Sequence, residues 1–233
     1  MGISVCIASG KDGVGKSTIA VNLGIALSGM NISTLMIDAD IAGASFGFIL
    51  GLSSDSHTLH DCLAGRVFCD EALIDAYGAK AIVGGIQMHQ LVNVSLDGFP
   101  KIIEQLQDKF EIILVDSPAG LGNDAISAIS SCESSILVMT PDINSVTNTL
   151  KTLAIAKKVG STALGLIINR KGGSYDIPSA RISELMKMRI LAEIDETERI
   201  KQSLHDAVPT YVEDNSCTFS QDIKSIADKL VGG

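Results

Sequence analysis

The stretch ISVCIASGKDGVGKSTIAVNLGIALSG, residues 3–29, decides the fold. It begins with the short apolar run ISVCIA (3–8), which predicts a strand buried on both faces. It ends with TIAVNLGIALSG (18–29), whose helical apolar spacing predicts a helix that stops at Gly29. A glycine-rich segment separates the two, so the stretch predicts a strand, a loop and a helix in succession.

The loop between this strand and this helix fits the phosphate-binding template G-x-x-x-x-G-K-[ST]. The matching residues are Gly10, Lys11, Asp12, Gly13, Val14, Gly15, Lys16 and Ser17. In such loops glycines turn successive backbone N–H groups towards phosphates, and the N-terminus of the following helix adds positive potential. We therefore expect Lys16 to neutralise the outer phosphates, Ser17 to ligate Mg²⁺ and Thr18 to bind an inner phosphate.

Further apolar runs of strand length follow along the chain, at 33–38, 80–85, 111–116, 134–139 and 162–168. Helical patterns separate them, notably at 144–160, with Asn144 or Ser145 as cap and Gly160 as stop. This alternation predicts an α/β fold, a doubly wound and mostly parallel sheet of about seven or eight strands. No linker-like composition divides the chain, so we expect a single domain over residues 1–233.

Carboxylates follow two of the predicted strands. Asp38 and Asp40 end the run STLMIDAD, and Asp116 ends EIILVD. The carboxyl ends of parallel strands meet at one edge of a sheet, so these groups should lie near the phosphate loop and serve a magnesium ion and an attacking water. The alternative is that the aspartates cap a helix or close a turn.

Composition argues against several other classes of function, including broad nucleic-acid binding and metal-cluster binding. The 27 acidic and 18 basic residues give a net charge of −9, which argues against a broad nucleic-acid surface. The five cysteines lack a C-x-x-C pair, which predicts buried thiols and neither a disulfide framework nor a metal cluster. The histidines, His57, His60, His89 and His205, lack metal-ligand spacing with the cysteines and are expected on loop and helix surfaces. With no apolar run of membrane length, we expect a cytoplasmic protein.

With these residues in hand, the sequence resembles the MinD/ParA family of ATPases, which carry the deviant Walker A loop K-G-G-V-G-K-[ST], and it is most similar to the archaeal type of MinD. The resemblance extends to ILVDSPAGLG (113–122), GLIINRKGG (165–173) and the stretch around 192–216. It implies ATP and Mg²⁺ as cofactors and an ATP-bound homodimer in which Lys11 reaches the phosphates of the partner subunit.

The resemblance also assigns roles by position. Asp40 would orient the hydrolytic water, and Asp38, Asp40 and Asp116 would surround the magnesium ion through water. Asn169 would bind the adenine edge, with the loop 194–198 beside the base. Adenine is also favoured because no N-K-x-D guanine motif is found. The departure is Asp12, where the family usually has glycine; we expect it to weaken phosphate binding unless it faces away or pairs with Lys11. Our hypothesis is that such a pair holds Lys11 off the partner's phosphate and slows dimer assembly.

The sequence thus predicts a Mg-ATP-dependent dimerisation switch with slow hydrolysis that acts in spatial organisation of the cell with a regulatory or cargo protein. Two alternatives remain open: an ATP- or ADP-binding module with little turnover, and a ParA-like positioner that tracks DNA. The tail FSQDIKSIADKLVGG has helical apolar spacing but charges that sum to zero. Core packing is therefore favoured over attachment at the inner face of the cell membrane.

Overall fold

The computed structural model describes residues 2–52, 57–86 and 96–232. Its strands, in chain order, are β1 (Ile3–Ala8), β2 (Thr34–Asp38), β3 (Ile74–Ala76), β4 (Ala79–Ile82), β5 (Ile112–Asp116), β6 (Ser134–Met139), β7 (Thr162–Lys171) and β8 (Ile190–Asp195). They form one sheet in the order β3-β4-β2-β5-β1-β6-β7-β8. β3 runs antiparallel to β4 and the other neighbouring pairs are parallel.

The predicted mostly parallel α/β sheet is confirmed, and each apolar run proposed as a strand contains one. Two strands were not singled out in the sequence. β3 has three residues, too few for a recognisable pattern. β8 lies at the sheet edge and alternates buried with exposed positions, so it has no continuous apolar run.

The helices are α1 (Lys16–Gly29), α2 (Phe46–Ile49), α3 (Leu59–Leu63), α4 (Phe99–Gln107), α5 (Asn123–Ser130), α6 (Ile143–Lys158), α7 (Ser179–Met186), α8 (Glu198–Asp206), α9 (Thr210–Glu213) and α10 (Thr218–Val231). Short 3₁₀ helices lie at Cys69–Ala72 and Leu96–Gly98. The predicted cap of α6 was wrong: Asp142 is the N-cap, and its carboxylate accepts the Ser145 N–H at 3.0 Å. An aspartate outside the helical pattern fulfils that role because its side chain reaches back to an unpaired N–H of the first turn.

Helices cover both faces of the sheet because the central strands are apolar on both sides. Val5 and Ile7 of β1 pack into a cluster with α1 and α10. Cys6 and Ala8 point the other way, into a second cluster with α4, α5 and α6. Successive side chains of a strand alternate between faces, so one apolar run supplies both cores.

The C-terminal helix α10 belongs to the first of these cores. Phe219, Ile223 and Ile226 are buried there, and the Lys229 ammonium donates a hydrogen bond to the Leu191 carbonyl at 2.5 Å. The sequence favoured core packing of this helix over membrane attachment. In the structure, its apolar face is packed in the core. Within the described ranges, no helix has the length and apolar character needed to cross a bilayer.

Strand register brings the predicted carboxylates together. Asp38 ends β2 directly opposite Asp116, which ends β5. β5 in turn pairs with β1, whose last residue precedes the phosphate loop. The loop and both carboxylates therefore lie at one edge of the sheet, at the ends of three neighbouring strands.

Candidate nucleotide site

The phosphate loop depends on glycines with left-handed backbone conformations. Gly13 has φ of 73° and Gly15, which precedes α1, has φ of 92°. A Cβ on Gly15 would lie 2.4 Å from the amide nitrogen of Asn169. Position 15 therefore requires glycine for both its backbone conformation and the close approach of β7.

The loop is packed against α6 on one side and against Asn169 of β7 on another. A Cβ on Gly10 would meet the backbone of Asn148 on α6 at 2.3 Å, so that helix lies directly against the loop. The Val14 side chain is fully buried, and its carbonyl accepts a hydrogen bond from the Asn169 side chain at 2.7 Å. This leaves the N–H groups of the loop as the ones that can face a phosphate.

Asn169, expected beside adenine, is placed beneath the loop. It is 4% exposed, and its side-chain oxygen has no hydrogen-bond partner among the described residues. Its side-chain nitrogen donates to the Val14 carbonyl. The side chain thus has one atom committed to the loop and one buried acceptor left free.

A cavity of about 330 Å³ lies over the loop, within the size range of small-molecule sites. Its lining residues are Asp12, Gly13, Gly15, Lys16, Ser17, Thr18, Ser45, Phe48, Ile49, Arg170 and Leu204. Phe48 and Leu204 are large apolar residues that remain 65% and 41% exposed. Sequence reasoning missed them, since neither belongs to a motif and only the fold places α2 and α8 beside the loop.

Asp116 is fully buried at the floor of this region. Neither carboxylate oxygen makes a hydrogen bond of ordinary geometry within the described part of the chain. Burial raises the pKa of Asp116 to about 8, and the neighbouring Asp38 and Asp40 add to the effect while Lys16 and Ser17 oppose it. Ionisation of Asp116 is therefore unfavourable in this environment, and added positive charge beside it would favour the carboxylate.

Asp38 faces Asp116 but is well hydrogen-bonded. Its carboxylate accepts N–H bonds from Ser45 at 2.9 Å, Phe46 at 3.0 Å and Asp40 at 3.2 Å. Burial raises its pKa to about 6 in spite of these bonds. Asp38 therefore binds the N–H groups at the start of α2, as the helix-cap alternative predicted. It also lies beside the buried Asp116.

Asp40 lies two residues further on in a tight turn. Its carboxylate accepts the Gly43 N–H at 3.0 Å, and the Asp40 carbonyl accepts the same N–H at 3.2 Å. The turn that the sequence analysis gave as an alternative role for this aspartate is thus present. It fixes the direction of a half-buried carboxylate near the mouth of the site.

His60 was expected on the surface and is 1% exposed, so that expectation was wrong. One ring nitrogen, Nδ1, accepts the Gly85 N–H at 2.8 Å, while Nε2 lies 3.1 Å from the Ile41 carbonyl. The neutral ring with hydrogen on Nε2 satisfies both contacts, and burial lowers the pKa of His60 below its usual value. His60 therefore connects the segment following Asp40 to the end of β4, and only folding reveals this contact.

The two lysines of the loop have different surroundings. Lys16 is buried, with 5% exposure, and its charge acts on Asp116. Lys11 is a surface residue whose ammonium forms an ion pair with Asp142, the N-cap of α6, at 3.1 Å; the two side chains are 43% and 41% exposed. Among the described residues, the cavity lining includes Lys16 and not Lys11.

Asp12 does not pair with Lys11, so that part of the hypothesis was wrong. Its carboxylate accepts the N–H of the next residue, Gly13, at 2.7 Å. This N–H belongs to the group expected to face phosphate. Asp12 thus places a carboxylate that competes with phosphate for this N–H at the loop. Its partner is the neighbouring backbone, whereas Lys11 pairs with Asp142.

The donor set fits a hydrated magnesium ion. Ser17 supplies a hydroxyl in the lining of the cavity, and the orphaned oxygens of Asp116 lie beside Asp38. Hard oxygen ligands and retained waters are what Mg²⁺ prefers. Within the described residues, no group of three or more His, Cys, Asp or Glu side chains is placed to hold a metal ion.

The adjacent basic residues Arg170 and Lys171 each have an acidic partner in the fold. Arg170 lies 3.6 Å from Glu196, and Lys171 pairs with Glu193. Both cations therefore contribute little net potential to a surface for nucleic acid.

The chain is similar to known nucleotide-binding proteins over its full length. A sequence profile of the ParA family, described as NUBPL iron-transfer P-loop NTPase, matches residues 2–231. An ATP-binding protein of Methanocaldococcus jannaschii is 31% identical over 234 residues, which cover 100% of this chain and 89% of that protein.

Solved structures agree with this likeness. The septum site-determining protein MinD of Pyrococcus horikoshii, complexed with Mg-ADP, superposes with a TM-score of 0.96 at 32% identity, covering 100% of this chain and 98% of that one. A chain of the MinC:MinD cell division protein complex of Aquifex aeolicus gives a TM-score of 0.88 at 25% identity, covering 99% and 96%. The shared sheet places the phosphate loop of this chain in a fold that binds Mg-ADP in one of these relatives.

Proposed function

The chain belongs to the ParA/MinD family of P-loop NTPases, and we propose that it is a Mg-ATP-dependent dimerisation switch that hydrolyses ATP slowly. In this proposal two subunits enclose two Mg-ATP molecules, and hydrolysis returns them to monomers. A surface for a further partner would exist only in the ATP-bound dimer, so nucleotide state would control assembly.

The observation that carries the proposal is the separation of the two lysines. Lys16 lies in the cavity lining beside Asp116, where it would neutralise the phosphates of its own subunit. Lys11 is half-exposed outside that lining and bound to Asp142 by an ion pair. A surface pair of this kind contributes about 0–1 kcal/mol, so the lysine can be released when a stronger anion approaches. The phosphates of a second subunit would provide one.

Hydrolysis in this arrangement is mainly a matter of position and charge. When bound, Mg²⁺ would supply positive charge that neutralises the phosphates. Ser17 would ligate it, Asp38 and Asp116 would hold its waters, and Asp40 would orient the attacking water. The turn with Gly43 and the contact of His60 with Ile41 would keep that carboxylate in place. Lys11 of the partner would stabilise charge that develops during transfer.

We further propose that the switch serves spatial organisation, such as positioning a division site or a protein complex. Support comes from relatives whose names refer to septum site determination and to cell division. By the same likeness, the ATP-bound dimer would bind a regulatory or cargo protein. Attachment to a membrane through α10 is not favoured, because its apolar face is already buried against α1. DNA tracking is not favoured either, because Arg170 and Lys171 are ion-paired.

The test is the solution mass of an Asp40→Ala protein with Mg-ATP and with Mg-ADP, measured by light scattering after gel filtration. We expect a dimer with ATP only. Adding Lys11→Ala should give a monomer that still binds ATP. Lys80→Ala is the matched control, since Lys80 pairs with Asp75 at 2.7 Å and its side chain is 41% exposed; it should dimerise normally. A monomer in both nucleotides, with ATP binding shown by calorimetry, would reject the switch.

A second candidate is a module that holds ATP or ADP with little turnover. The contact of Asp12 with the Gly13 N–H favours it, because that acceptor competes with phosphate. The two candidates differ in one measurement. The passive module stays monomeric with bound ATP and shows no rise in turnover with protein concentration, whereas the switch gains activity as dimers form.

A further inference from the structure

The cysteines form two pairs whose surroundings differ. Cys62 and Cys69 line one cavity and influence each other's ionisation, and Cys6 and Cys132 influence each other in the same way. All are free thiols. Cys6 and Cys132 are 0% and 4% exposed within the core, whereas Cys69 is half-buried. The chain therefore carries one enclosed pair and a second pair, called here the surface pair, in which Cys62 is buried and Cys69 is half-buried.

The surface pair is held by a short, well-fixed segment. Cys62 lies on α3, and Cys69 begins the 3₁₀ helix Cys69–Ala72. Thr58 and Asp61 cap α3 reciprocally, and Arg66 in the connecting turn donates to Asp61 at 2.9 Å. These contacts keep the backbone on both sides of the pair in place, so the thiols remain neighbours without a covalent link.

A cavity gives reagents access to both thiols. It has a volume of about 360 Å³, and Cys62 and Cys69 both line it. Phe68, 81% exposed, stands beside it. This volume is enough for a peroxide or a small arsenical to reach the sulfur atoms.

The two thiols differ in acidity. A hydrogen bond from Cys62 lowers the pKa of Cys69, and Lys109 adds to the effect while burial and Asp70 oppose it. The same contact, together with burial, raises the pKa of Cys62. Cys69 is therefore the more acidic thiol and the better nucleophile of the pair, and Cys62 is placed to resolve the product.

We propose that Cys62 and Cys69 form a redox-sensitive dithiol site that a peroxide converts to an intramolecular disulfide. The Cys69 thiolate attacks one peroxide oxygen, the O–O bond breaks, and hydroxide leaves and takes a proton from solvent. The resulting sulfenic acid reacts with the Cys62 thiol, which forms the S–S bond and releases water. Each sulfur loses one electron, and the two peroxide oxygens gain them and end as two waters.

The location of the pair connects it to the nucleotide site. Cys62 lies two residues beyond His60 on the same helix, and His60 contacts the carbonyl of Ile41, next to Asp40. A bond that shifts α3 would therefore move the segment that carries Asp40. The chemistry of the thiols itself does not depend on the proposed switch.

The experiment uses the full, reduced protein, treated with one equivalent of hydrogen peroxide, alkylated and digested with trypsin without reductant. Arg66 separates the cysteines, so a disulfide would join peptide 17–66 to peptide 67–80. We expect this linked pair, and we expect it to separate on reduction. Cys69 should also be alkylated several-fold faster than Cys217, the half-buried thiol outside both pairs.

Two controls decide the outcome. Cys6 and Cys132 are a buried pair without access to solvent, so they should stay reduced in the folded protein and react only in denaturant. Cys69→Ser should abolish the linked peptide and leave Cys62 unreactive. No linked peptide in the wild-type protein, or linkage of Cys6 to Cys132 at the same rate, would overturn the proposal even if the variant fails to fold.

Discussion

Asp116→Asn should remove a pH-dependent cost to the stability of the nucleotide-free protein. The pKa of Asp116 is raised from 3.8 to about 8 in the fold. A carboxyl whose folded-state pKa is raised binds more protons when folded, so its contribution to stability is present at low pH and is lost as pH rises from about 4 to about 8. At 1.36 kcal/mol per pH unit, the cost at pH 7 is about 4 kcal/mol relative to pH below 4.

The assay is the free energy of unfolding from urea titrations between pH 6.5 and 8, with EDTA and without nucleotide. Asp38, with a pKa of about 6, is mostly ionised in this window, so Asp116 dominates the slope. The wild-type protein should lose about 1 kcal/mol per pH unit from this group. The Asn variant should lack that slope. Its new amide hydrogens are buried without partners, which costs about 1–3 kcal/mol at every pH, so the slope is the readout.

The control is Asp75→Asn, since Asp75 on β3 has an 86% exposed side chain. It should leave the slope at the wild-type value. An Asp116→Asn protein with the same slope as wild type would refute the reasoning, because it would mean that the buried carboxylate is not protonated in the fold.

Substitutions at three further positions test other contacts of the site. Asp12→Gly frees the Gly13 N–H for phosphate and should tighten ATP binding about tenfold by calorimetry; unchanged affinity would contradict the competition. Asp142→Asn keeps a good helix cap but removes the charge that holds Lys11. It should preserve stability and promote ATP-dependent dimers by sedimentation, whereas Asp142→Ala should cost about 1 kcal/mol in urea. His60→Ala leaves two backbone groups unpaired and should lower the free energy of unfolding by about 2–4 kcal/mol. It should also lower kcat by a larger factor than it changes KM. The same loss of stability with a normal kcat would assign His60 a structural role only.

The phosphate loop and most of the sheet were predictable because their signals are local. A glycine template between an apolar run and a helical pattern constrains a few adjacent residues, and the backbone conformations of Gly13 and Gly15 satisfy it. The carboxylates were predictable for a related reason: strand ends in a parallel sheet share an edge, and the pairing of Asp38 with Asp116 follows from that geometry.

Other features could not be predicted, because they depend on residues far apart in the chain. The cap of α6 is also the partner of Lys11, and the two lie 131 positions apart. His60 is buried because β4 and the segment after Asp40 close around it. Its sequence context is a polar segment and gives no sign of this.

The sequence by itself determined the phosphate loop, the alternation of strand and helix, and the residues that carry charge, because periodicity and steric limits act over short spans. Only the tertiary structure decided where those charges act. It buried Asp116 without a hydrogen-bond partner among the described residues, left Lys11 at the surface and turned Asp12 onto the next N–H. It also placed one cysteine pair beside a cavity while enclosing the other. Burial and long-range contacts set the pKa and the availability of each group, and both arise only when distant segments pack together.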